Sequence, residues 1–172
     1  RRWGYRPRGG PGATAVAAGD VTGDGAVEVL FGGEDSFVQT VDAAGKPLWQ
    51  FNTGDEITGL FTLAEPESAA RDVLVSSLSF NVYRLDGSGA VVWRTDLGAP
   101  VRSLALQAAG GRVAAACDNG MVYILDTGAS GAAAGRFSSG GRIGDMAPAR
   151  LQGRDVFVTA GDNGRVYAIP VP

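Results

Sequence analysis

The feature that most narrows the folds open to this chain is its internal repeat. Val41-Asp42, Leu85-Asp86, Leu125-Asp126 and Ile169-Pro170 recur every 40 to 44 residues, within "FVQTVDAAGKPLWQF", "NVYRLDGSGAVVWRT", "MVYILDTGASGAAAGRF" and "RVYAIPVP". A shorter apolar run precedes each of them: "EVLFGGEDS", "DVLVSSLSF", "RVAAACDNG" and "DVFVTAGDNG". Before those come "ATAVAAGD", "ITGLFTLAE", "VRSLALQAA" and "IGDMAPARL". A unit of this length is one supersecondary element. It cannot bury its own apolar face and must stack on its neighbours.

The runs are short, rich in β-branched residues and bounded by Gly, Asn and Asp. No helical periodicity lasts beyond a turn or two. The 27 glycines fit a chain of many tight turns. Asp118-Asn119-Gly120 and Asp162-Asn163-Gly164 carry Asn-Gly, the pair that closes tight hairpins. Asp42, Asp86 and Asp126 each precede a glycine-containing turn, where an aspartate side chain holds the backbone. Four strands per 40 to 45 residues describe a propeller blade. The expected fold is therefore all-β, a four-bladed β-propeller in a single domain over residues 1–172. The blades fall at about 13–52, 57–96, 101–138 and 143–172, with strands a to d running from the axis outward.

The last blade runs out after strand c. Outer strands elsewhere read Trp49-Gln50-Phe51, Trp93-Arg94-Thr95 and Gly135-Arg136-Phe137, and residues 3–5 read Trp3-Gly4-Tyr5. Residues 1–9 are thus expected to be strand d of the last blade, paired with 166–172 and closing the ring. An unpaired edge would invite aggregation. The alternative is a homodimer in which two copies make one eight-bladed ring and this strand completes a neighbour's blade.

"VYILDTGASGAAAGRF" and "VDAAGKPLWQF" resemble the quinoprotein (PQQ-type) propeller repeat, V-Y-A-L-D-x-x-T-G-x-x-L-W. "GDVTGDGAVEVLFGG" resembles the FG-GAP repeat of integrin-α-type propellers, in which a D-x-D/N-x-D-G-x-x-D loop leads into an apolar strand. The first resemblance spans all four units and implies the fold. The dehydrogenases of that superfamily are longer and hold a quinone with residues that have no counterpart here, so it does not imply their activity.

The FG-GAP-like loop offers one candidate metal site. A Ca²⁺ ion takes six to eight oxygens. Asp20, Thr22, Asp24, the Ala26 carbonyl and Glu28 stand at loop positions 1, 3, 5, 7 and 9. Thr22 replaces the usual Asp or Asn, and Glu28 is longer than the usual Asp. The competing reading is a metal-free Asx/Gly turn, and no other blade repeats the motif.

Histidine is absent, which removes His-based triads, His-ligated zinc and a His general base. Cys117 is the only cysteine and lies in an apolar run, so a buried, inert thiol is expected. With a net charge of −3, no nucleic-acid partner is expected. No apolar run reaches the length of a membrane span, so no membrane insertion is expected.

Arg1, Arg2, Arg6 and Arg8 are read as charges on a solvated edge strand rather than as an anion site. Near the ring axis, small residues are expected at Ala15, Gly59 and Ser103, with Asp145 paired to Arg102. The polar loop "AEPESAARD", residues 64–72, is the longest between strands a and b. The expected function is non-catalytic: a binding or scaffold module recognising a protein or small ligand on a loop face. A small-molecule or metal sensor is the alternative, and a quinoprotein-type enzyme comes last.

Overall fold

In a computed structural model, residues 3–5, 12–64, 68–107, 111–128 and 130–172 are described, and their strands form four antiparallel sheets. The first sheet contains β1 (Ala13–Gly19), β2 (Glu28–Gly33), β3 (Phe37–Val41) and β4 (Pro47–Asn52). The second contains β5 (Ile57–Ala64), β6 (Arg71–Ser77), β7 (Asn81–Leu85) and β8 (Val91–Asp96). The third contains β9 (Val101–Leu106), β10 (Arg112–Cys117), β11 (Met121–Asp126) and β12 (Ala133–Ser138). The fourth has three strands, β13 (Ile143–Leu151), β14 (Arg154–Gly161) and β15 (Val166–Pro170). In every sheet the spatial order follows the chain, so each connection within a sheet is a hairpin.

The turn chemistry read from the sequence is present. Gly120 and Gly164 take φ of 77° and 74° in the two Asn-Gly turns. Asp42 Oδ1 accepts the Ala44 and Lys46 amides, Asp86 Oδ1 those of Ser88 and Ala90, and Asp126 Oδ1 that of Gly128. These bonds hold the Asp42 carboxyl below its ordinary pKa, the Lys46 amide contributing most. The Ser88 hydroxyl does the same for Asp86.

Middle strands are covered on both faces, which is why "VLV" in β6 and "VAAA" in β10 run apolar without alternating. Pairing registers are equivalent throughout: Ala17 faces Leu30, Phe61 faces Leu74, Ala105 faces Ala114 and Ala147 faces Val158. Side chains can therefore be compared position by position between sheets.

The sheets stack side by side, with β5 against β1, β9 against β5 and β13 against β9. Three apolar clusters fill the joints, and each contains the same pair of positions. Val38 and Leu60 share the first cluster, Val82 and Leu104 the second, and Val122 and Met146 the third. Full burial of such a side chain stabilises by roughly 1.5–3 kcal/mol. Hydroxyls cross the same joints near the inner strands: Thr14 Oγ1 donates to Ile57 O at 2.5 Å, and Thr58 Oγ1 to Val101 O at 2.8 Å.

At the outer edge a tryptophan makes the link. Trp49 Nε1 donates to Gly87 O at 2.9 Å and Trp93 Nε1 to Gly128 O at 2.7 Å, each reaching into the next sheet's outer turn. The indoles lie on Gly89 and Gly131, where an added Cβ would come within 2.8 and 2.5 Å of ring carbons and where φ is 85° and 60°. Only glycine suits both the approach and the backbone there.

Trp3 repeats this device on the first sheet. Its Nε1 donates to Ala43 O at 3.1 Å, and its ring lies on Gly45, φ 83°. Two residues on, the Tyr5 ring sits 5.2 Å from Phe31, and its hydroxyl donates to Gln39 Oε1 at 3.1 Å. Phe51 likewise meets Tyr83, and Phe137 meets Tyr167, at 5.2 and 5.1 Å. Residues 3–5 thus make the contacts of an outer strand that precedes the first sheet.

The expected pairing of 1–9 with 166–172 falls mostly on residues outside the described ones. Residues 3–5 join no sheet, and no packing like that of β5 on β1 joins β13 to β1. Among the described residues the four sheets form an open arc. Residues 1–2 and 6–9 lie outside the described residues.

Candidate functional site

The FG-GAP-like loop joins β1 to β2 and is held by its own backbone. Asp20 Oδ1 accepts the Gly23 amide at 2.7 Å, and Oδ2 accepts that of Gly25 at 2.9 Å. Asp24 Oδ1 accepts the Ala26 amide at 2.8 Å. Glu28 is buried, and its Oε2 accepts the Val21 and Thr22 amides at 2.9 and 3.1 Å. The extra methylene of Glu28 lets it fold back under the loop, where an aspartate would fall short. Thr22 is exposed, and Ala26 supplies the amide that Asp24 accepts. Among the described residues no three acidic or cysteine side chains gather as a cation shell. In this arrangement Asp20, Asp24 and Glu28 turn carboxylate oxygens toward the loop's own amides.

The loop is instead a bracket between sheets. Asp20 O accepts the Arg71 amide at 2.9 Å, and Gly23 packs against Ala70. Beside it lies a groove of about 630 Å³ between the first two sheets, lined by Thr22, Leu48, Trp49, Ser68, Asp86 and Ser88 among others. Leu48 is exposed, and Trp49 forms an apolar wall above the Gly87 turn. Part of the 64–72 loop borders this groove; residues 65–67 lie outside the described residues.

The polar pair expected at the ring centre is rearranged. Arg102 does not meet Asp145. Its Nε and Nη2 donate to Asp118 Oδ1 and Oδ2 at 2.7 and 2.8 Å, a bidentate fork. Arg142 Nη2 donates to the same Oδ1 at 2.8 Å. The hydrogen bonds from Arg102, then those from Arg142, hold the Asp118 carboxyl down to about 2. Asp118 is the first residue of an Asn-Gly turn, and that turn brings it within reach of Arg102 on β9 of the same sheet and of Arg142 just before β13. Asp145 accepts the Ser103 hydroxyl at 3.4 Å and its neighbour's amide, Met146 N, at 2.8 Å. Ala15 and Gly59 occupy the positions of Ser103 and Asp145 on their own inner strands, as the spacing predicts.

Sequence reasoning did not find Arg84. Its side chain is buried, its Nε meets Asp72 Oδ2 at 2.6 Å, and its Nη1 donates to Thr127 O and Gly128 O at 2.6 and 3.1 Å. An arginine between Tyr83 and Leu85 in a fully buried β7 was the available signal. Cys117 is buried, and burial pushes its thiol up to about 12, as an inert core cysteine requires. Arg1, Arg2, Arg6 and Arg8 lie outside the described residues.

Repeated four-stranded sheets, equivalent registers and outer-edge tryptophans define an all-β protein of the PQQ-type repeat, propeller-like class. Residues 34–171 match the family model described as outer membrane protein assembly factor BamB, and the chain belongs to that family. The computationally designed Ika4 protein has a similar fold, with a TM-score of 0.73 at 14% identity, covering 94% of this chain and 92% of that one. The computationally designed Ika8 protein is similar at a TM-score of 0.72 and 15% identity. There the match covers 92% of this chain but 46% of that one, so this chain spans just under half of it. No curated protein matches.

Proposed function

We propose that the four sheets are propeller blades and that this chain is a non-catalytic recognition module for a protein partner. The groove between the first two sheets takes an extended segment of that partner. The observation that carries this reading is the combination of exposed Leu48 and the Trp49 wall with a polar rim of Ser68, Asp86 and Ser88. Such a groove offers an apolar anchor point and a few orienting hydrogen-bond groups, on loops held by a rigid frame. Membership of a family described as an assembly factor supports a protein partner over a small molecule. The absence of histidine and the burial of Cys117 support a non-catalytic role.

Selection of peptides from a displayed random library, followed by calorimetry, tests the proposal. Selected peptides are expected to bind the wild-type protein and to lose at least tenfold in affinity with Leu48→Asp, while Leu151→Asp on the fourth sheet leaves binding unchanged. Peptides indifferent to Leu48→Asp, or dye-linked turnover on addition of a quinone, would overturn it.

A further inference from the structure

The two ends of the arc expose side chains whose counterparts at every internal joint are buried. Val16 on β1 is 70% exposed, whereas the equivalent Leu60, Leu104 and Met146 are 5, 6 and 7% exposed. Val166 on β15 is 72% exposed, whereas the equivalent Val38, Val82 and Val122 are all 0%. These are the two positions that each of the three clusters shares, as Val38 with Leu60, Val82 with Leu104 and Val122 with Met146. The arc therefore carries half of a fourth such pair at each end.

The ends are complementary in a second respect. The fourth sheet has three strands, and β15 has no partner on its outer side among the described residues. Residues 3–5 make outer-strand contacts onto the first sheet, through Trp3 on Gly45 and Tyr5 on Phe31, without belonging to a described sheet. Among the described residues one end shows an open strand edge, and the other shows outer-strand contacts made by residues 3–5.

We infer that a second copy of this chain occupies both ends, so that two arcs close head-to-tail into one ring of eight sheets. Val166 of each copy meets Val16 of the other. Trp3–Tyr5 of each copy lies on the outer side of the other's β15. Each joint sets one end against the other, and a two-fold rotation relates the two identical joints. The coverage of the Ika8 protein fits this geometry as a matter of fold: one four-sheet arc overlays 46% of that chain. The inference is independent of the groove on the first two sheets, which closure leaves open.

Light scattering with size exclusion tests it on the 172-residue chain. The expected mass is twice the 17.6 kDa of one chain, constant over a wide concentration range. Val16→Lys and Val166→Glu are each expected to shift the protein to the single-chain mass while keeping the wild-type β-sheet circular dichroism. Mixing these two variants is expected to restore the doubled mass, because one joint then carries Lys against Glu and the other remains wild type. A wild-type protein at the single-chain mass overturns the inference and assigns the ends to other blades. A mass that grows with concentration overturns closure, since it marks an open chain of arcs. Variants that keep the doubled mass overturn the placement of the joint. A mixture that stays at single-chain mass does so as well.

Discussion

Arg84 ties the second sheet to the third, and its removal gives a measurable cost. The guanidinium meets Asp72 at 2.6 Å, with side-chain exposures of 9% and 13%, and reaches the Thr127 and Gly128 carbonyls across the joint. Arg84→Met keeps most of the volume and deletes the charge. Asp72 is then left without its cation in a poorly solvated site. Breaking a buried pair by removing one partner costs about 3–5 kcal/mol; the slight exposure of both groups here favours the lower end, about 3 kcal/mol. For a chain of this length each kcal/mol lowers Tm by roughly 2–4 °C, so a fall of roughly 6–12 °C is expected. Asp72→Leu combined with Arg84→Met removes both charges and is expected to recover more than half of that loss, because the desolvation cost goes with them. Scanning calorimetry at one fixed protein concentration measures both variants, since association would make Tm concentration-dependent. A Tm for Arg84→Met within about 2 °C of wild type, or a double variant no more stable than the single one, would refute the reasoning.

Other expectations follow from the loops and the core. Glu28→Leu strands the Val21 and Thr22 amides without their acceptor and is expected to cost about 2–3 kcal/mol in urea unfolding; Glu28→Gln, which keeps one acceptor oxygen, is expected to lose much less. Since both oxygens of Asp20 and one each of Asp24 and Glu28 accept amides, exchanging EGTA for millimolar Ca²⁺ is expected to move Tm by less than about 1 °C; a larger rise would favour the cation reading of that loop. The depressed pKa of Asp118 adds stability that is present above the unfolded carboxylate pKa of about 3.9 and is lost as pH falls through about 2. Asp118→Asn is therefore expected to flatten Tm against pH between those values, by a small amount that added salt reduces, because these groups are partly solvated. Cys117, buried with a thiol pushed up to about 12, is expected to resist a disulfide reagent at about pH 8 in the native protein and to react fully in denaturant.

What could be read from the sequence was whatever depends on neighbours along the chain. Asp42, Asp86 and Asp126 bond to amides two to four residues away, and the Asn-Gly turns are equally local. The outer-strand pattern Trp-x-aromatic was legible for Trp49 and Phe51, and Trp3 and Tyr5 make outer-edge contacts of the same kind. Which sheet such a segment completes depends on packing at the joints, which leaves no mark in the spacing. Arg84 and the Arg102–Asp118–Arg142 cluster were missed for a related reason. Their partners lie on other strands or other sheets, and only the stacked structure brings them within 3 Å. The loop from Asp20 to Glu28 has the composition of a cation loop. The reach of Glu28 back to two amides depends on side-chain conformation, which a motif does not encode.

The tryptophans that lie on the turns of the following sheet also make the protein its own spectroscopic instrument. The chain has three indoles, and each touches a different joint: Trp3 the first sheet's turn, Trp49 the second's and Trp93 the third's. At the fourth joint the matching position is Gly135, which faces Pro172 and carries no chromophore. Variants that keep one tryptophan at a time would report by fluorescence when each successive sheet docks during refolding. Emission would fall silent on the last sheet, so a phase seen by circular dichroism and missed by all three indoles belongs to residues 143–170.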